Sequence, residues 1–134
     1  MKVIQFAFDS REESDYLPHN YEKNCVVYTG THDNDTLCGW YKVLDPEDLK
    51  LSQKYMNNAN TPKRQIHWDF IRLALASVAD LCIIPLQDYL GLGSEARINT
   101  PSTLGNNWRW RMTQGCLTKE LADQIRELTT LYGR

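Results

Sequence analysis

The sequence predicts an α/β fold. Three observations carry it: apolar, β-type runs at Val3–Phe8, Cys25–Thr29 and Leu81–Pro85; an amphipathic helical pattern between the second and third runs; and turn chemistry separating all of them. The third run is continuously apolar, which fits a parallel strand covered on both faces. Strand, helix, strand in this order is the pattern of a parallel sheet with helices packed on it.

Each element follows from local chemistry. Val3–Phe8 is aromatic and β-branched and ends at Asp9-Ser10, so it reads as a buried strand. Residues 11–24 are polar, contain Pro18 and show no period, the character of a loop bordering a site. Cys25–Thr29 is the second strand. Asp45 suits a helix N-cap, Pro46 the first helical position, and Glu47 and Asp48 the positive end of the helix dipole, so a helix runs from there to about Asn57. The asparagines at 57, 58 and 60 and Pro62 end it. Between Gln65 and Val78, Ile66, Phe70, Leu73, Ala74 and Ser77 recur at helical spacing, and Trp68, Ile71, Leu75 and Val78 widen the apolar face into that of a largely buried helix. Residues 87–105 hold Gly91, Gly93, Gly105 and Pro101 and read as a structured loop. Thr118 caps a last helix whose stripe is Leu121, Ile125, Leu128 and Leu131 or Tyr132. No repeat, low-complexity tract or second-domain boundary interrupts residues 1–134, which read as a single domain.

Composition narrows the function classes. With 134 residues, 42% hydrophobic and 24% charged, the chain suits one globular domain. A formal charge of -2 offers no long-range attraction to a polyanion, so nucleic acid is not the expected partner. No segment reaches the roughly 20 apolar residues that a membrane span needs, and the start has too short an apolar core for a signal peptide, so the expected address is cytoplasmic. Cys25, Cys38, Cys82 and Cys116 form no Cys-x-x-Cys pair; they read as thiols in a reducing compartment, with Cys82 a small buried hydrophobe, while their even number leaves two disulfides open.

The chemistry concentrates after the second strand, in Thr29-Gly30-Thr31-His32-Asp33-Asn34-Asp35-Thr36. Two readings stand side by side. Asp and Asn bond their own backbone in turns, so the cluster can be a turn alone. Equally, a carboxylate and an imidazole at a strand tip can bind hydroxyls or a developing positive charge. Asp33-Asn34-Asp35 also spells an Asp-x-Asp pattern for a divalent cation, as a metal-dependent nucleotide-sugar transferase would use, but no further acid follows at loop spacing, and we assign no metal site. Asn107-Trp108-Arg109-Trp110-Arg111 alternates aromatics and arginines; stacking on sugars or bases is one reading, and strand-like core packing the favoured one. His67 beside Trp68 reads as a structural histidine, and His19 in its loop receives no role.

Five stretches match one family in order: Lys2–Phe8, Tyr16–Tyr21, Tyr28–Thr36, Gly91–Pro101 and Asn107–Arg111. Together they resemble the 4-α-glucanotransferases, the amylomaltases or disproportionating enzymes of glycoside hydrolase family 77. Departures are small: Ser102 stands where a glycine is usual, and Cys25 and Cys38 are atypical, none of them touching His32 or Asp33. The resemblance implies the C-terminal part of a (β/α)8 TIM barrel, a fold of about 250 residues, with the chain carrying about three parallel strands and their helices. It implies transfer of α-1,4-glucan segments between maltooligosaccharides with retention, in starch, glycogen or maltodextrin metabolism, and no cofactor. It makes Asp33 the carboxylate that stabilises the transition state and His32, with Asn34, a substrate-binding group. The family's nucleophile and acid/base lie on strands that this sequence does not match, so the chain alone is expected to be inactive. A non-catalytic α-glucan-binding or regulatory module is the alternative. Three strands from an open barrel would leave two unpaired edges, which a homo-oligomer or strand exchange would cover.

Overall fold

The structure, a computed structural model, describes residues 1–134 throughout. Three strands, β1 (Lys2–Val3), β2 (Val26–Tyr28) and β3 (Leu81–Ile83), form one parallel sheet in the order β1-β2-β3. Val27 of β2 pairs with Lys2 on one side and Cys82 on the other. Five helices accompany the sheet: α1 (Leu37–Val43), α2 (Pro46–Tyr55), α3 (Ile66–Leu75), α4 (Leu86–Tyr89) and α5 (Lys119–Leu131). No helix is long and apolar enough to cross a membrane.

The caps expected from sequence are in place. The Asp45 carboxylate accepts from the Glu47 N–H at 3.0 Å with Pro46 beginning α2, and the Thr118 hydroxyl accepts from the Leu121 N–H at 3.1 Å at the start of α5. α3 buries Ile66, His67, Phe70, Ile71, Ala74 and Leu75, and its apolar members share one core with Ile4, Phe8 and Val27. Phe70 is the hub: the rings of Trp40, Tyr41 and Phe8 meet it edge-on at 5.2, 5.9 and 5.9 Å. In α5 the stripe closes on Leu128 and Tyr132, while Leu131 faces solvent.

Three expectations need correction. The first strand spans only Lys2–Val3, because at Ile4 the chain turns into a single turn of 3-10 helix that buries Ile4 and Gln5 together, something an alternating strand cannot do. β3 is not covered on both faces: Leu81 and Ile83 are exposed by 54% and 39% at the sheet edge, and only Cys82 between them turns toward the core. α1 forms where the sequence carries no helical pattern. Its composition, Leu-Cys-Gly-Trp-Tyr-Lys-Val, is poor in helix formers, and tertiary contacts supply the stability: Leu37 is fully buried and Trp40 and Tyr41 pack on Phe70. The four cysteines are free thiols, and burial pushes Cys82 up to about 11.

Candidate active site

β2 ends at Tyr28, and the next residue, Thr29, is fully buried. Its hydroxyl donates to Asp88 Oδ2 at 2.6 Å. The chain then passes Gly30, where a Cβ would fall 2.6 Å from Gln5 Nε2, so only glycine lets the backbone run this close to the buried glutamine. Gln5 Nε2 in turn donates to the Asp35 carbonyl at 2.7 Å, fixing the loop from beneath.

Within the loop, Asn34 Oδ1 accepts from both the Thr31 N–H at 2.9 Å and the Thr31 hydroxyl at 2.8 Å, and the Asn34 N–H donates to the Thr31 carbonyl. This is the turn that the sequence suggests as one of its two readings. The turn also aims the other reading outward. His32 and Asp33 stand at its crest with side chains 53% and 49% exposed, and His32 Nε2 lies 3.2 Å from Asp33 Oδ1. Turn and site are therefore one object, because the bonds that satisfy the backbone inside the loop set the direction of the two side chains at its tip.

A second segment grips this tip. Asn99 Nδ2 donates to Asp33 Oδ1 at 2.7 Å, Arg97 Nη2 donates to the Asp33 carbonyl at 2.7 Å, and the Asn99 N–H donates to the His32 carbonyl at 3.1 Å. Arg97 Nε also donates to the Asn99 carbonyl, so one guanidinium ties the two segments together. Asp33 Oδ1 is thus engaged, while Oδ2 makes no hydrogen bond within the chain. His32 and Asp33 stand side by side at the crest, while the Asn34 side chain turns back onto Thr31, its amide nitrogen donating to no protein group.

Asp35 points elsewhere. Its Oδ1 accepts from the Thr36 N–H at 2.7 Å and its Oδ2 from the Ser94 hydroxyl at 2.6 Å. The Asp33, Asn34 and Asp35 side chains go to three different partners, and no group of three or more His, Cys, Asp or Glu converges as a metal site would require.

The aromatic segment corrects the packing expectation. Residues 107–111 form no strand, and Trp108 is 59% exposed with a left-handed backbone (φ 61°). Its N–H donates to the Ile98 carbonyl at 2.7 Å, and its ring lies 5.1 Å from that of His32, tilted by 32°. The reason is local: Asn107 bonds Thr100 and Thr103, closing residues 100–107 into a compact loop that delivers Trp108 beside the strand tip. His67 is buried beside Trp68, as expected, and burial lowers its basicity. His19 stacks on Tyr55 and bonds its hydroxyl.

Sequence reasoning missed Arg97, Asn99 and Asp88. The first two lie in a stretch that carried the family resemblance without being given a role. Asp88 is the most consequential: it is 2% exposed, both carboxylate oxygens accept hydrogen bonds, and burial pushes it up to about 6. A signal was present in the pair Gln87-Asp88, which interrupts the apolar stretch that runs from Leu81 to Leu90.

Comparison with known proteins places this chain in a family. The family model described as 4-alpha-glucanotransferase matches residues 1–118. A 4-alpha-glucanotransferase from Clostridium butyricum is 50% identical over 135 aligned residues, which span 100% of this chain and 27% of that protein. The chloroplastic/amyloplastic 4-alpha-glucanotransferase of Arabidopsis thaliana is 47% identical, with 100% of this chain and 23% of the relative covered. An amylomaltase from Streptococcus agalactiae, solved in complex with acarbose, superposes with a TM-score of 0.92 at 37% identity, over 100% of this chain and 27% of that one. The chain therefore spans about a quarter of the length of these relatives. Its three parallel strands and packed helices are part of a (β/α) barrel, and the chain belongs to the 4-alpha-glucanotransferase family.

Proposed function

We propose that the strand-tip loop is this chain's contribution to an active site that transfers α-1,4-glucan segments between maltooligosaccharides with retention of configuration. The observation that carries it is the state of Asp33: one carboxylate oxygen is held by the Asn99 amide, and the other is left free at a half-exposed strand tip. A fixed acceptor of this kind binds sugar hydroxyls and gains strength as positive charge develops on the donor sugar in an oxocarbenium-like transition state. His32 donates to the same sugar, and the free Asn34 amide supplies a further donor.

Retaining transfer needs two carboxyl groups about 5–5.5 Å apart, one as nucleophile and one as acid/base. The other carboxylates around this loop cannot serve. Asp35 has both oxygens engaged, and Asp88 is buried with both oxygens occupied. On this reading the chain binds glucan but does not turn it over, and the nucleophile and acid/base belong to parts of the barrel that it does not contain. It operates in starch, glycogen or maltodextrin metabolism in the cytoplasm. The open edges at β1 and β3, with Leu81 and Ile83 exposed, are covered by self-association; a monomer in sedimentation equilibrium at micromolar concentration would overturn that part.

Titration calorimetry with maltoheptaose, paired with incubation on maltotriose, tests the central reading. Heat of binding without redistribution of chain lengths is expected. Absence of heat removes the site assignment, and appearance of glucose with longer oligomers removes the claim that catalysis needs more than this chain.

A further inference from the structure

Asp88 lies away from the loop tip, yet it touches both ends of the loop. Its Oδ2 accepts from the hydroxyl of Thr29, the residue immediately before Gly30, and its Oδ1 accepts at 2.8 Å from the N–H of Leu37, the residue immediately after Thr36. Thr29 and Leu37 are both fully buried. One carboxylate therefore closes the base of the seven-residue loop 30–36 that carries His32 and Asp33, and it does so inside the protein, where competing water is excluded.

The same stretch of chain reaches the tip. From α4, Gln87 Nε2 donates to the Ala96 carbonyl at 3.3 Å, and the next residue, Arg97, begins the grip on Asp33. Gly30, Asn34, Asp88 and Arg97 line one small cleft, so base, loop and grip are neighbours in space. Two adjacent residues of α4 are therefore bonded to the loop, Asp88 at its base and Gln87 to the residue before Arg97.

We propose that Asp88 is a positioning residue: by bridging Thr29 and Leu37 it holds the His32–Asp33 loop in its glucan-binding shape. The inference rests on the glucan-binding reading of Asp33 for its functional meaning and on hydrogen-bond geometry for its mechanism. The two donors are neutral, and no lysine, arginine or histidine pairs with Asp88. The bridge therefore works through direction. An asparagine there preserves both contacts, accepting from the Leu37 N–H and donating to the Thr29 hydroxyl, whereas a leucine of similar size preserves neither.

Amide hydrogen exchange and maltoheptaose titration on the 134-residue chain with Asp88→Asn and Asp88→Leu test this. Asp88→Leu should speed exchange of the amides at 31–35 by about tenfold or more relative to those of Val27 and Phe70, and weaken glucan binding by a similar factor. Asp88→Asn should restore both to near the unsubstituted values. Because a general loss of stability would speed the Val27 and Phe70 amides as well, an effect confined to the loop marks positioning. Where Asp88→Leu fails to fold, Thr29→Val removes one arm of the bridge, and the same amides should respond to a smaller degree. Unchanged exchange at 31–35 in a folded Asp88→Leu or Thr29→Val chain overturns the inference, as does an Asp88→Asn chain that behaves like Asp88→Leu. Should the unsubstituted chain give no heat with maltoheptaose, the glucan reading falls, and the exchange data alone decide the role of Asp88.

Discussion

Two loops at the same end of the site behave as opposites: one is bonded to its surroundings, the other to itself. Residues 30–36 are held by the protein around them: Gln5 from below, Asp88 at the base, Arg97 and Asn99 at the tip. Residues 100–117 are held mostly by themselves, through Thr103 to Thr100, Asn107 to Thr103 and Arg111 to Trp110, with Leu104, Met112 and Leu117 in solvent. The first loop has its geometry imposed by long-range bonds, so it can present Asp33 in one orientation before any ligand arrives, at a small entropic cost on binding. The second is joined to the site chiefly where the Trp108 N–H meets Ile98 and its ring meets His32. Preorganisation here is a property of what surrounds a loop, more than of the residues within it.

The contrast is tested most severely by placing one methyl group in each loop. Gly30→Ala puts its Cβ 2.6 Å from Gln5 Nε2 and 3.2 Å from Asn34 Cβ. Gln5 is buried and bonded to Asp35, so it cannot swing away without leaving polar atoms unpaired. A loss of about 2–3 kcal/mol in urea unfolding is expected, from overpacking and a broken buried hydrogen bond together. A loss under about 0.5 kcal/mol would show that the imposed geometry is softer than the bonding implies.

The same distinction explains what the sequence could and could not reveal. The helix caps at Asp45 and Thr118, the buried face of α3 and the position of β2 are local or periodic signals, and they were legible. The strand-tip placement of His32 and Asp33 was legible for the same reason, since a β-type run breaking at Gly30 is written in adjacent residues. What positions them was not. Asp88 lies 59 residues from Thr29 and 51 from Leu37, and Asn99 lies 66 from Asp33; no pattern within a helix turn or a strand reports such pairings. α1 was hidden because its poor helix formers are overruled by packing on Phe70, and the exposure of Trp108 because a left-handed backbone at a tryptophan leaves no compositional trace. The open edges follow from three strands alone, but the coverage of β3 did not: its apolar run suits a strand covered on both faces, whereas here Leu81 and Ile83 are left exposed.

Acidity probes the anchored loop from another side. Burial raises Asp88 from an ordinary 3.8 to about 6, so between those values the folded chain holds a proton that the unfolded chain has released. The folded state binds more protons across that window, and the contribution of Asp88 to stability therefore falls as pH rises from about 4 to 6, by about 2–3 kcal/mol in all. His67 acts in the opposite sense: burial lowers its pKa below 6.5, so stability is lost as pH falls beneath the ordinary histidine value. The total curve mixes the two. The difference between the unsubstituted chain and Asp88→Asn isolates the first, and that difference should shift against the unsubstituted chain on going from pH 4 to pH 7 in parallel urea titrations. A difference flat with pH would mean that water reaches Asp88 in solution and that the loop base is not closed.

The smallest effect belongs to the self-bonded loop. Gly105 has a φ of +80° and nothing within 4 Å of where a Cβ would stand. Gly105→Ala therefore meets no neighbour, and only the backbone resists it. An alanine in the left-handed region costs about 1–2 kcal/mol, partly offset by about 0.4–1 kcal/mol from the reduced freedom of the unfolded chain. A net loss of about 0–1.6 kcal/mol is expected, below that of Gly30→Ala, with amide exchange at 31–35 unchanged. A larger loss, or faster exchange at 31–35, would mean that residues 100–107 bear on the strand tip more strongly than the link from Trp108 to Ile98 implies, and the two loops would then have to be treated as one cooperative unit.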